Sequence, residues 1–177
     1  GNYTLKATYG NIETQGFEAP YYEGAKEFSI KKNESTNISV ICYLANVKVT
    51  TEYTELFKKY FTDYTVNIRP AGSTDISFDK NETRAAYVKP GKISIYLSGS
   101  KQQGNKVTFE AATIENAKAR QHYRLKFDVQ AGGTELDVSF TDETERVPIT
   151  IDISDDALNT QPPFFTPTGF ESGVARE

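Results

Sequence analysis

Period-two alternation of apolar and polar side chains runs through most of the chain. It constrains the fold more than any other feature, because it sends every second residue to one face of an extended strand. Tyr3, Leu5, Ala7 and Tyr9 alternate with Thr4, Lys6 and Thr8; Tyr64, Val66 and Ile68 alternate with Thr65, Asn67 and Arg69; Ile93, Ile95 and Leu97 follow a turn at Pro90 and Gly91. Val107, Phe109 and Ala111 oppose Thr108 and Glu110, and Tyr123, Leu125, Phe127 and Val129 oppose Arg124, Lys126, Asp128 and Gln130. Leu136, Val138 and Phe140, then Val147, Ile149, Ile151 and Ile153, repeat the pattern. Each segment predicts a half-buried strand. Pro148 lacks an N–H, which puts the last of them at a sheet edge or with its amide side facing out.

Residues 38–49 form the longest apolar run, and both parities are apolar there. Such a run predicts a strand buried on both faces, or one that switches faces at a bulge near Ala45 and Asn46, in the centre of the core. Cys42 then reads as a small buried hydrophobe. Helical spacing occurs once with strength: Tyr53, Leu56, Phe57, Tyr60 and Phe61 predict a short helix over 53–61, capped by Thr51 or Thr54, whose aromatic face plugs an open end of the fold. A weaker helical candidate is 114–119. Turn residues punctuate the chain at Gly10 and Asn11, 31–35, Gly72 and Ser73, 99–105, and Gly132 and Gly133.

About ten strands with little helix and no βαβ rhythm predict an all-β fold: an antiparallel sandwich of two packed sheets with one short helix. The sandwich is expected over residues 1–156. Beyond it, 157–177 carries Pro162, Pro163, Pro167, Gly169 and Gly173 without any period and reads as a linker or tail. With 177 residues, 37% of them hydrophobic, a core forms without staples, and the lone Cys42 leaves no intrachain disulfide. The absence of Met means that Gly1 reads as the start of an excised piece, with any signal peptide or lipid anchor upstream.

The net charge of −4 argues against a phosphate-binding surface, hence against nucleic acid. No run of about 18 apolar residues is present to span a membrane. His122 occupies the parity opposite Tyr123, Leu125 and Phe127, so it is expected to face solvent, with no nucleophile motif to serve. Neither GxGxxG nor a P-loop occurs. Asp79, Asn81 and Thr83 have the opening spacing of a calcium loop, but Arg84 and Pro90 stand where that loop needs Gly and Glu. The carboxylates at Asp142, Glu143 and Glu145 and at Asp152, Asp155 and Asp156 read as a solvated hairpin tip and strand end. A hydrolase would need paired carboxylates about 5 to 10 Å apart, contributed by different strands. No enzyme, cofactor or metal site is therefore expected. The N-x-[ST] triplets headed by Asn2, Asn33, Asn37 and Asn81 arise by chance in a chain this rich in Asn, Thr and Ser.

Eleven Tyr and eleven Phe are the one compositional excess. Tyr21 and Tyr22 beside Pro20, and Phe164 and Phe165 after Pro162 and Pro163, stand outside the clear alternating strands. They are the candidate contacts for a partner protein or a glycan, the alternative being that they close the core edges.

Residues 1–10 (GNYTLKATYG), 17–24 (FEAPYYEG) with Phe28, and 42–49 (CYLANVKV) resemble the fimbrillin-like surface lipoproteins of anaerobic Gram-negative gut bacteria, and in particular an uncharacterised family among them. The likeness continues through 85–90 (AAYVKP), the Tyr123 strand and 147–154 (VPITIDIS), and reaches Pro162, Pro163, Gly169 and Phe170. These are structural signatures that carry no catalytic residue. The resemblance implies an immunoglobulin-like or transthyretin-like sandwich with Greek-key connections, displayed on the outer membrane through an upstream lipid anchor, with adhesion or fimbria-like assembly as its task and edge-strand self-association as one route to it. A carbohydrate-binding module of a glycan-capture protein is the alternative.

Overall fold

The computed structural model describes residues 1–101, 104 and 106–129, and of 136–144 the strand course alone. The expected 147–153 strand, the break near 156, and Phe164 and Phe165 lie outside the described residues. The order of elements is β1 (Asn2–Tyr9), β2 (Gly16–Phe17), β3 (Tyr22–Ser29), β4 (Tyr43–Leu44), β5 (Val47–Tyr53), α1 (Glu55–Tyr60), β6 (Phe61–Pro70), β7 (Ile76–Asp79), β8 (Ala86–Val88), β9 (Gly91–Lys101), β10 (Lys106–Ala117), β11 (Gln121–Val129) and β12 (Leu136–Thr144).

Alternation becomes layers as expected. One sheet runs β10-β9-β6-β7 and another β12-β11-β5-β8-β2, and their inner faces meet in the main core. Val66, Ile68, Phe78, Ile93, Ile95 and Leu97 come from the first sheet and Val47, Val49, Ala86, Val88, Leu125 and Phe127 from the second, each essentially sealed from solvent. The fold is thus an all-β sandwich. Among the described residues its ladders are antiparallel save one, β11 beside β5, which pairs parallel from His122 opposite Lys48 to Phe127 opposite Tyr53. No helix among the described residues is long and apolar enough to cross a membrane.

The 38–49 run switches faces, and it does so between two cores rather than within one. Ile38, Val40, Cys42 and Leu44 are buried on even parity, then Val47 and Val49 on odd, with Asn46 buried at the change. The even-parity side chains cover a small third sheet, β1-β3-β4. There β1 and β3 pair from Asn2 opposite Ser29 to Tyr9 opposite Tyr22, so Tyr3, Leu5, Ala7, Tyr22 and Phe28 share one face. Leu5, Ala7, Ile38, Val40 and Cys42 make a satellite core on that face. Gly24 lets the covering segment come close: a Cβ there would stand 2.3 Å from the carbonyl oxygen of Ile41.

Four expectations are corrected. Residues 114–119 do not turn into helix. Ile114 to Ala117 end β10 and 118–119 enter the turn before β11; register shifts between Glu110 and Ala112 and between Ile114 and Ala117 replace strict alternation, with Ile114 buried and Phe109 exposed. The helix is shorter than 53–61 and buries Phe57, while Leu56 is 46% exposed, because a helix this short presents one residue to the core between two strands. Tyr22 belongs to a strand, β3. His122 keeps its predicted parity yet is buried, with the Thr50 hydroxyl of neighbouring β5 2.8 Å from its Nε2 to pair the ring, while Arg124 and Lys126 farther along the same face stay exposed.

Candidate functional site

The segment between β2 and β3, residues 18–21, crosses the molecule where the satellite sheet meets the sandwich, and its course is fixed at four points. The Glu18 amide donates to the Ala85 carbonyl at 3.1 Å, and the Tyr21 carbonyl accepts from the Ala45 amide at 2.8 Å. Between these, the buried side chain of Asn46 uses both ends of its amide. Nδ2 donates to the Ala19 carbonyl at 3.2 Å, and Oδ1 accepts from the Tyr21 amide at 3.3 Å. Burying an amide is tolerable only when it is so paired. Glu18 is held at φ 55, a left-handed conformation that few residues other than Gly adopt and that persists only where the surroundings impose it.

The turn after β1 packs against this segment. Gly10 has φ 84, and a Cβ on it would lie 2.2 Å from the Pro20 carbonyl oxygen, so only glycine lets the two backbones meet. Asn11 shapes the turn, its Oδ1 accepting from the Glu13 amide at 2.9 Å and its carbonyl from the Thr14 amide at 3.1 Å. Between the two segments lies a cleft of about 790 Å³ walled by Thr8, Tyr9, Asn11, Thr14, Glu18 and Tyr21. A second, smaller cleft of about 360 Å³ continues from the shared Glu18 and Pro20 toward Lys48, Arg84 and Tyr87.

The electrostatics of this two-lobed groove are balanced. Arg84 grips the Glu82 carboxylate through Nε and Nη2 at 2.9 and 2.7 Å, with Glu18 3.6 Å from Nη1. The arginine in turn holds the Glu82 carboxyl at about 2. It also lies over the ring of Phe17, 4.8 Å from the centroid. In the larger lobe the Tyr21 hydroxyl donates to Glu23 at 3.3 Å, and burial, then the neighbouring carboxylate, push the phenol up. Among the described residues no cluster of His, Cys, Asp and Glu could hold a metal ion.

Of the four aromatic candidates, the structure sets Tyr21 in the groove wall and Tyr22 on the face of β3, against the satellite core, with its ring 6.3 Å from that of Tyr9. Sequence reasoning passed over Tyr9, Asn11, Glu18 and Tyr87, which come from separated segments. The sequence signal for the larger lobe is a Gly-Asn turn ten residues before a Pro-Tyr pair.

Residues 1–155 match the profile of a family described as "Domain of unknown function (DUF4493)". No curated protein matches the chain. Two solved structures are similar to it: "a putative cell adhesion protein" from Bacteroides uniformis, 12% identical with TM-score 0.48, and another so described from Bacteroides eggerthii, 10% identical with TM-score 0.42. The alignments cover 78% and 77% of this chain, which spans 65% of the first protein and 71% of the second.

Proposed function

We propose, for a chain that belongs to the DUF4493 family of domains of unknown function, a non-catalytic role as an adhesion or fimbria-like assembly module at the bacterial cell surface. In this reading the module is held at the outer membrane by a lipid anchor upstream of Gly1. The observation that carries it is the edge of β1. Gly1 and Ile30 exchange hydrogen bonds of 2.8 and 2.9 Å, so the bonded pairs continue at Tyr3, Leu5 and Ala7. The intervening backbone groups of Thr4 and Lys6 then point away from β3 along the outer side of β1, which is the edge strand of its sheet among the described residues. Such an edge accepts any extended segment of matching length. The resemblance to fimbrillin-like lipoproteins supports the same reading.

The test is sedimentation velocity over a wide concentration range, together with retention of the protein by bacterial surfaces. Association or retention is expected, and Lys6→Pro is expected to weaken it while leaving the β1–β3 ladder intact, because the lost N–H points outward. A chain that stays monomeric and is retained by no surface would sink the proposal. The groove supports a second reading, glycan capture, since tyrosine rings there stand beside hydroxyl and amide groups.

A further inference from the structure

We infer that the two-lobed groove over residues 18–21 binds a neutral oligosaccharide chain, one stretch of sugar in each lobe with the Glu18–Pro20 ridge between them. The inference rests on the glycan-capture reading and deepens it. Both lobes fall within the roughly 300–1,000 Å³ of ordinary small-molecule sites, and they share Glu18 and Pro20, a geometry suited to a chain rather than a compact ligand.

The chemistry of the walls selects the class. A peptide lying along the groove would seek main-chain partners, but the Glu18 amide, the Ala19 carbonyl and both backbone groups of Tyr21 are already bonded to Ala85, Asn46 and Ala45. What lines the groove beside that bonded backbone is Tyr9 and Tyr21 in one lobe and Tyr87 in the other, with Thr8, Asn11, Thr14 and Glu18 among them. Tyrosines accompanied by hydroxyl, amide and carboxylate groups supply the apolar surface and the polar rim that a pyranose ring needs.

Charge gives an acidic sugar no net attraction. Glu18 is the charged wall of the larger lobe, and in the smaller lobe the cations Lys48 and Arg84 face Glu18 and the Glu82 that Arg84 grips, so the groove as a whole is balanced. A carboxylate or sulfate would meet a like charge in the first lobe and compete with carboxylates already beside Arg84 in the second. The rigid mounting of the segment, with Asn46 beneath it and Gly10 against it, means that little ordering remains to be done on binding.

The test is an amide-resolved NMR titration of the intact chain with maltohexaose, cellohexaose, xylohexaose and mannohexaose, with hexagalacturonate as the acidic probe. At least one neutral hexamer is expected to shift amides in 8–14, 18–21 and 84–87, and to bind about tenfold or more tightly than its monosaccharide. Tyr21→Ala and Tyr87→Ala are each expected to weaken binding about tenfold, and Tyr21→Phe, which keeps the ring, by less than about threefold. Shifts confined to other residues, or binding of the galacturonate alone, would overturn the groove or the ligand class while glycan capture survives. Binding of no sugar would overturn both. The assembly reading answers separately to Lys6→Pro, a residue outside the groove.

Discussion

Tyr53 carries an unusual burden for one side chain. Its ring packs 5.3, 4.6 and 5.5 Å from those of Phe57, Tyr64 and Phe127, and its hydroxyl is buried beside that of Thr51 without a hydrogen bond of good geometry among the described residues. Burial pushes the phenol up to about 12. Below its unfolded value of about 10 both states keep the proton; above it the unfolded chain loses the proton while the folded one retains it, so stability declines as pH rises toward about 12. The loss over that window is roughly 2–3 kcal/mol. Tyr53→Phe is expected to reduce this alkaline decline, the remainder coming from Tyr21, Tyr64 and Cys42, which burial also pushes up, and to leave neutral stability unchanged or raise it by about 1 kcal/mol by removing an unsatisfied hydroxyl. Urea titrations from neutral to alkaline pH compare the two slopes. Asn46 is the opposite case, a buried polar side chain with each end of its amide paired. Asn46→Ala strands the Ala19 carbonyl and the Tyr21 amide and is expected to destabilise by about 1–3 kcal/mol, read from the same denaturation curves. The sequence held Asn46 only as a place where parity changes. Its partners lie 27 and 25 residues away, a separation no local pattern encodes.

At the scale of elements, α1 shows what alternation and helical spacing reveal and what they miss. Thr54 is one of the two caps the spacing suggested. Its Oγ1 accepts from the Phe57 amide at 3.2 Å and donates to Asp128 on β11 at 2.6 Å, so one hydroxyl starts the helix and ties it to a sheet. The Thr54 hydroxyl, then the Val129 amide, hold the Asp128 carboxyl below its usual range. Stability from that contact is present above the unfolded carboxylate's value of about 4 and is lost as pH falls through the folded one. Thr54→Ala is therefore expected to destabilise by about 1 kcal/mol at neutral pH through the cap, and by less in acid. Equal effects at both pH values, in matched thermal melts, would dissociate the cap from Asp128. On the same helix Phe57→Ala is expected to lose about 3–5 kcal/mol, and Leu56→Ser to stay within about 0.5 kcal/mol. Spacing alone ranks these two residues together. Burial separates them, because six residues between two strands leave room for one knob. The strands β6, β9 and β11 were legible because one face of each is fully sealed. β10 was legible only in its first half, at Val107 to Ala111: beyond it, register shifts mimic a helical period where the pleat is interrupted. The groove was legible only at Tyr21, since its walls come from the turn after β1, the segment before β3, and β5 and β8, which sequence order keeps apart.

At the scale of the whole molecule, the described residues form two cores of very different weight. Twenty buried residues form the main cluster among the described residues, against five in the satellite. The sheet over the satellite core joins the rest mainly through β4 and the 18–21 segment. Few buried contacts mean a low free energy of local opening, so β1 and β3 are expected to open without the sandwich unfolding. Hydrogen exchange should find the bonded amides of Tyr3, Leu5 and Ala7 opening at about 2 kcal/mol or more below those of Val66, Ile68, Ile95 and Leu97. Cys42 supplies an independent clock for the same event. Its thiol is buried in the satellite core, burial pushes its pKa up, and its Sγ lies 3.7 Å from the Ala7 carbonyl, so a disulfide reagent reaches it only when that sheet lifts. The labelling rate of Cys42 is expected to track exchange at Leu5 and Ala7 and to be indifferent to Phe57→Ala, which weakens only the main core. It should rise sharply in Gly24→Ala, whose methyl meets the Ile41 carbonyl. If Cys42 instead labels at the rate of global unfolding, the two cores are one cooperative unit. Strand addition at β1 would then have to occur on a closed edge, without any opening of the sheet behind it.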